Sequence, residues 1–377
     1  MEIKKTNIIL LLENIDYDGG VERVVCNMAN SFIKNENNEV TIMSIFKNKN
    51  SPQYNIDKRI KIDSLNLSDS AQSYINNFMI KSSLLIRLKL NKDIADKLYQ
   101  KLNKDIKYYI LCNSYLFSPL YRSKNTKLIG IDHSRFPYNL KENKFIHYVR
   151  TLNVRQMDII TTLNNDELEK WKSFGKPTFV MPNFIPQNMI PNSNQYIHKE
   201  KTILSMGRMN TNQKGFDRLI DAYALIAKKY PEWTLKIFGS GYLQKEYKQK
   251  VKELDLENNI IISDFTKDPI IEYQKSSIYA MCSREEGFGM VLIEAGVYGN
   301  PLVSYDIEFG PKTIIKNEET GYIIPNNNKV AFAEALEKLM TNETLRTSMS
   351  IAVSEDIKNR FSEKTIISKW EKIIKSI

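Results

Sequence analysis

Glu286 and Glu294 stand eight residues apart in the stretch Arg284-Glu285-Glu286-Gly287-Phe288-Gly289-Met290-Val291-Leu292-Ile293-Glu294. Between them lies a Gly-Phe-Gly turn. It follows an apolar strand expected over 277–282 and opens a helix expected to reach Tyr298. A helix N-terminus carries unpaired N–H groups and partial positive charge, which together favour an anion. Glycines there let a ligand approach the backbone. Carboxylates beside such a site accept hydrogen bonds from sugar hydroxyls and disfavour a phosphate. A ligand with both a phosphate and several hydroxyls suits the whole arrangement, and a nucleotide sugar is such a ligand.

Other residue types extend this chemistry. Ser205-Met206-Gly207-Arg208 leaves the end of a strand, and Gln213-Lys214-Gly215-Phe216-Asp217-Arg218 leads into a helix. Arg208 and Lys214 therefore fall at the carboxyl edge of a sheet, where open α/β folds bind ligands. Two cations there neutralise a diphosphate and stabilise it as a leaving group. Phe238-Gly239-Ser240-Gly241 is a second glycine turn between a strand and a helix. Nearer the start, Gly19-Gly20-Val21-Glu22-Arg23 follows the first strand without forming the Gly-x-Gly-x-x-Gly dinucleotide fingerprint. Asp132-His133-Ser134 follows another strand. A plain turn at Gly19-Gly20 and a capping or core histidine at His133 are the structural alternatives. Asp16-Tyr17-Asp18 reads as turn residues, with Asp18 a cap. No His, Cys and carboxylate cluster has metal-ligand spacing, so neither a metal nor a cofactor is expected.

Together these segments resemble the retaining glycosyltransferases of family 4 (group 1), of the bacterial surface-polysaccharide type. The Glu286 to Glu294 block is similar to their Glu-x7-Glu motif. Gly207-Arg208 with Lys214-Gly215-Phe216-Asp217 is similar to their Gly-Arg … Lys-Gly-hydrophobic-Asp signature. The turns at Gly239-Gly241 and Gly19-Gly20 resemble their donor-side and N-terminal glycine loops. The resemblance runs from Ile8 to about Leu339 and implies the GT-B fold, two Rossmann-like doubly wound domains facing an interdomain cleft. It implies that Glu294 holds the ribose hydroxyls and Glu286 the hydroxyls of the transferred sugar. The backbone of Gly287, Phe288, Gly289 and Met290 would lie against that sugar, Arg208 and Lys214 on the diphosphate, and His133 within reach of the sugar. Such enzymes work by same-face attack, without a side-chain nucleophile, the leaving phosphate taking the acceptor's proton. Gly310-Pro311 with Ile314-Ile315 is similar to a variant found in enzymes that build surface polysaccharides and teichoic-acid sugars.

The resemblance thus implies transfer of a hexose or N-acetylhexosamine from a nucleoside-diphosphate sugar, uridine first. The acceptor would be a lipid-linked or polymeric glycan of capsule, O-antigen or teichoic acid. A nucleotide-sugar epimerase or a phosphorylase on the same fold, and a non-catalytic nucleotide-sugar-binding subunit of another transferase, are the rivals.

The elements that must position these residues follow from the apolar pattern. Short runs over 7–12, 40–46, 108–112, 127–131, 158–162 and 178–181 alternate with helical segments, as in a parallel sheet covered on both faces. Pro182, Pro186 and Pro191, set among asparagines, then break the pattern. It restarts with strands over 202–206, 234–238, 260–262, 278–282 and 302–305, and helices over 216–230 and 242–254. At 377 residues the chain exceeds one ordinary core. The expected division is an acceptor domain, 1–185, a donor domain, 186–361, and a final helix, 362–377, returning to the first.

Residues 1–190 carry 28 Lys and Arg against 19 Asp and Glu, so nearly all of the net +10 lies there. No nucleic-acid motif accompanies it, which leaves an anionic membrane or an acidic substrate as the partner. Between Gln72 and Tyr109 cations interleave with Phe78, Leu84, Leu85, Ile86, Leu88 and Leu90. Such a helix either lies in a membrane interface or packs on the sheet with a solvated Lys face. Cys26, Cys112 and Cys282 are too few and too scattered for a disulfide framework, which suits a reducing cytoplasm. No apolar run approaches the ~18 to 20 residues that cross a bilayer. A cytoplasmic protein, peripheral at the inner face of the membrane, is expected.

Overall fold

The computed structural model describes residues 5–46, 52–67, 84–114, 117–133, 144–191 and 199–377. The chain forms two compact units, Met1–Pro182 with Ile366–Ile377, and Asn183–Thr365.

Unit 1 is built on β1 (Thr6–Leu12), β2 (Asn38–Phe46), β3 (Lys61–Leu67), β4 (Tyr108–Cys112), β5 (Thr126–Ile131), β6 (Ile159–Thr162) and β7 (Thr178–Val180). They lie in the order β3-β2-β1-β4-β5-β6-β7, every pairing parallel. Helices α1 (Gly20–Phe32), α2 (Leu84–Lys101), α3 (Lys144–Gln156) and α4 (Leu168–Lys172) connect them. Ile8 to Leu12 are buried on both faces of the sheet, which is why that strand reads as an unbroken apolar run. Leu90, Ile94 and Leu98 of α2 join Ile9, Leu11, Ile110 and Leu128 in one core cluster. The described part of the basic segment therefore packs on the sheet. Its Arg87 is also buried, the guanidinium 6.0 Å from the centre of the Phe117 ring. Residues 72–83 of that segment lie outside the described residues.

Unit 2 holds β8 (Glu200–Met206), β9 (Thr234–Phe238), β10 (Ile260–Ser263), β11 (Ser276–Met281), β12 (Leu302–Tyr305) and β13 (Gly321–Ile324), in the parallel order β10-β9-β8-β11-β12-β13. Its helices are α5 (Phe216–Ala224), α6 (Gln244–Glu253), α7 (Pro269–Lys275), α8 (Met290–Val297), α9 (Pro311–Ile314), α10 (Lys329–Thr341) and α11 (Glu343–Phe361). The helix expected over 216–230 stops at Ala224 and resumes as a short 3-10 turn, Ala227–Lys229. The last helix, α12 (Glu363–Lys375), starts in unit 2 and ends in unit 1, where Trp370 meets Phe32 of α1 edge-on at 6.5 Å. The two stretches that pass between units run side by side: Ile185 N–H donates to Phe361 O at 2.8 Å, and Glu363 N–H to Ile185 O at 3.1 Å.

Each sheet reverses its strand order once, between β1 and β4 and between β8 and β11. Loops leaving the carboxyl ends of such a strand pair diverge and open a crevice, the ligand position in open α/β sheets. Gly19, Gly20 and Asn113 follow β1 and β4; Arg208 and Glu286 follow β8 and β11. No helix among the described residues is long and apolar enough to cross a membrane.

Candidate functional site

β11 ends at Met281, and the chain leaves the sheet through Cys282 and Ser283 before turning at Gly287-Phe288-Gly289 into α8. Gly289, the N-cap of α8, has φ +90°, a conformation glycine adopts at little cost. Phe288 anchors the turn: it is buried and packs edge-on against Phe361 of α11 at 5.7 Å. The turn is thus fixed from within the unit, at the N-terminus of α8.

Glu286 sits at the head of this turn. Its Oε1 accepts from Lys214 Nζ and from Ser283 Oγ, both at 2.6 Å. Oε2 has no donor among the described residues, so the carboxylate is oriented through one oxygen and open through the other. Lys214 closes a 3-10 turn, Asn212–Lys214, ahead of α5. The structure thereby joins two residues that lie 72 positions apart in the chain. Arg208, on the loop after β8, is exposed. Main-chain bonds tie its loop to the second glycine turn: Met209 N–H donates to Ser240 O at 2.9 Å, and Leu243 N–H to Met209 O at 3.0 Å. Gly239 donates to Ser263 O at 3.0 Å, and Gly241 O accepts from Gln244 N–H at 3.2 Å. A cation, a turn of amides and an oriented carboxylate so converge on the carboxyl edge of one sheet.

Glu294 is placed differently. It is only 4% exposed, within α8, and its Oε2 accepts from the Tyr273 hydroxyl at 3.0 Å. Tyr273 stacks on Tyr298 at 6.1 Å. Glu294 is therefore not a glutamate on the solvent face of its helix.

In unit 1, Gly19 is the extended N-cap of α1, and its carbonyl accepts from the Tyr54 hydroxyl at 2.9 Å. Gly20 is the first residue of α1. Asp18 Oδ1 shares the same Tyr54 hydroxyl hydrogen, and Asp16 N–H donates to Asn14 Oδ1, both at 2.9 Å, so Asp16 to Asp18 form a turn. Nearby Glu13 has its carboxyl raised above the usual range by burial and then by the Glu22 charge. His133, after β5, meets Asn113, after β4: Nε2 lies 2.6 Å from Asn113 Oδ1. Asn113 spends its amide hydrogens on Leu11 O and Leu111 O, so its oxygen must accept, and His133 carries its proton on Nε2. The enclosed Nδ1 is left as an acceptor without a partner among the described residues. Burial pushes the imidazole down to about 4, so the ring is neutral at physiological pH. Among the described residues no group of three or more His, Cys, Asp or Glu is placed to hold a metal ion.

Sequence reasoning passed over Ser283, Arg284, Arg218, Tyr273 and Asn113. Arg284 forks onto Asp217, Nη1 to Oδ1 at 2.8 Å and Nη2 to Oδ2 at 2.6 Å, and its N–H donates to Gln213 O at 2.7 Å. Asp217, already part of the recognised signature, was the available signal: a carboxylate beside a ligand edge needs a cation to hold it.

Comparison with known proteins gives the following. The family model described as "Glycosyl transferases group 1" matches residues 187–356. An uncharacterized glycosyltransferase of Haemophilus influenzae is 30% identical over 99% of this chain and 100% of its own. The amylovoran biosynthesis glycosyltransferase AmsD of Erwinia amylovora is 28% identical, over 97% of this chain and 99% of its own. Among solved structures, the pneumococcal O-GlcNAc transferase GtfA in complex with UDP and GlcNAc aligns with a TM-score of 0.72 at 16% identity, covering 99% of each chain.

Proposed function

The chain belongs to the group 1 glycosyltransferases and has their GT-B fold, and on that premise we propose that it moves a hexose or N-acetylhexosamine from a UDP-sugar to a lipid-linked or polymeric glycan, with retention at the anomeric carbon. The observation that carries this reading is the Glu286 carboxylate, held by Lys214 and Ser283 through Oε1 and open through Oε2, beside the amide turn of α8. An open carboxylate oxygen suits a sugar hydroxyl. The turn and Arg208 suit the diphosphate, with Lys214 close enough to shift from Glu286 onto it. Catalysis on this reading is positioning and charge stabilisation, the leaving phosphate accepting the acceptor's proton. Glu294, oriented by Tyr273, takes the ribose hydroxyls. The UDP in the GtfA complex supports the nucleotide, and the polysaccharide role of AmsD supports the acceptor class. The enzyme works in the cytoplasm, at the inner face of the membrane, and needs no metal because Arg208, Lys214 and helix amides carry the charge.

The test incubates the isolated chain with UDP-glucose, UDP-galactose and their N-acetyl counterparts, with and without a lipid-diphosphate sugar. One donor should be consumed, EDTA should not matter, and the new bond should keep the donor's anomeric configuration. Arg208→Ala and Lys214→Ala should each lower transfer ~10² to 10³-fold, the scale of one lost preorganised contact. Consumption of no donor, or an inverted product, would sink the reading. Loss on chelation restored by Mn²⁺ would count against the metal-free mechanism.

A further inference from the structure

We propose that Arg218 is a positioning residue for sugar transfer: it fastens the carboxyl end of β11 so that Glu286 presents its open oxygen to the donor sugar. The proposal rests on the reading of Glu286 given above.

Arg218 lies in the first turn of α5, one residue after Asp217, and is 9% exposed. All five of its N–H donors are engaged. Nε donates to Cys282 O at 3.2 Å, and Nη2 donates to Cys282 O at 2.6 Å and Ser283 O at 2.7 Å. Nη1 donates to Asn326 Oδ1 at 2.9 Å and Asn327 Oδ1 at 2.7 Å. The guanidinium lies 4.5 Å from the centre of the Tyr305 ring. Among the described residues no carboxylate bonds to it.

A cation taken out of water without an anion costs several kcal/mol, and a planar fork with every donor satisfied is what reduces that cost. Its place in the fold gives it a task. β11 pairs with β12 as far as Met281, after which the chain has no strand neighbour to hold it. Arg218 takes up the next two carbonyls, those of Cys282 and Ser283. Ser283 in turn gives its hydroxyl to Glu286 Oε1. The line Arg218, Ser283, Glu286 is therefore continuous, and a neighbouring one runs from Asp217 to Arg284. With Lys214 on Glu286, three residues of one five-residue stretch clamp the loop that carries the proposed sugar-binding carboxylate.

The test is a double-mutant cycle on the full chain. It reads UDP release from UDP-glucose and UDP-N-acetylglucosamine, together with the affinity for UDP alone. Arg218→Lys keeps a cation but not the fork. It should lower kcat about tenfold to a hundredfold while the Kd for UDP stays within about twofold. In a Glu286→Gln background the same replacement should cost less than about twofold, because the group it positions is already impaired. Equal losses in both backgrounds, or UDP affinity falling in step with kcat, would overturn the proposal and leave Arg218 a stabiliser of the unit. Should Arg218→Lys fail to fold, Asn326→Ala, in an exposed loop, removes a single acceptor. A loss of about threefold that vanishes in the Glu286→Gln background supports the proposal; no loss, or one that persists there, overturns it. Full turnover by Glu286→Gln, or no UDP release by the unmodified chain from any of the four UDP-sugars named above, overturns instead the reading on which the proposal rests.

Discussion

Glu286 meets a cation and a hydroxyl through one oxygen, whereas Glu294 is enclosed with a tyrosine hydroxyl. Spacing and residue type single out both glutamates but cannot separate them, because the groups that distinguish them come from elsewhere: Lys214 from the loop after β8, Tyr273 from α7. His133 is a second case. Its position at a strand end is visible in the sequence, but its tautomer is set by Asn113, twenty positions away. That environment makes a prediction. An unfolded histidine titrates near 6.5, and His133 in place near 4, so between those values the unfolded chain binds more protons. Its contribution to stability is full above about pH 6.5 and is lost as pH falls toward 4. Urea unfolding at pH 7 and pH 4.5 should show the unmodified chain losing about 2 kcal/mol more than His133→Gln between the two. Equal losses would mean that His133 is not held neutral.

At the scale of elements, the buried strands were readable and the edges were not. Ile8 to Leu12 and Ile278 to Met281 are unbroken apolar runs, buried along their whole length. β3, Lys-Ile-Asp-Ser-Leu-Asn-Leu, pairs on one side only, and its alternating polar residues read as loop. β13 is four residues long and begins with glycine, too little to register as a strand. The turn after Lys214 was readable as a glycine but not for what it approaches. Gly215 has φ +65°, and a Cβ there would fall 1.8 Å from Cys282 O, the carbonyl that Arg218 holds. Gly215→Ala should therefore destabilise unit 2 by about 2 to 4 kcal/mol, strain and overlap together. Gly20→Ala, which meets nothing within 4 Å, should be neutral or slightly stabilising. Equal unfolding midpoints for the two variants would show that the loops after β8 and β11 are not packed as described.

At the scale of the molecule, the alternation of strands and helices and the break near Pro182 gave the two-sheet plan, and the charge count gave its asymmetry. What became of those charges was not readable. Arg87 is buried, and Lys92 and Lys101 pair with Asp96 and Asp63 at 2.7 and 2.9 Å. The proposed docking on an anionic membrane would then rest on exposed cations such as Lys89, Lys104 and Lys124. Each contributes about 1 kcal/mol near such a surface, fading over a Debye length of ~8 Å. Replacing these three with Glu should abolish salt-sensitive pelleting with anionic vesicles while free nucleotide sugar is still hydrolysed. Equal binding to neutral and anionic vesicles would refute electrostatic docking. The route of the chain through α12 bears on its biosynthesis. Residues 183–365 leave the ribosome before 366–377, so Trp370, which meets Phe32 edge-on, emerges only after the whole of unit 2. The unit that is begun first is consequently finished after the other: unit 2 has its full set of residues while unit 1 still lacks the piece that closes over α1.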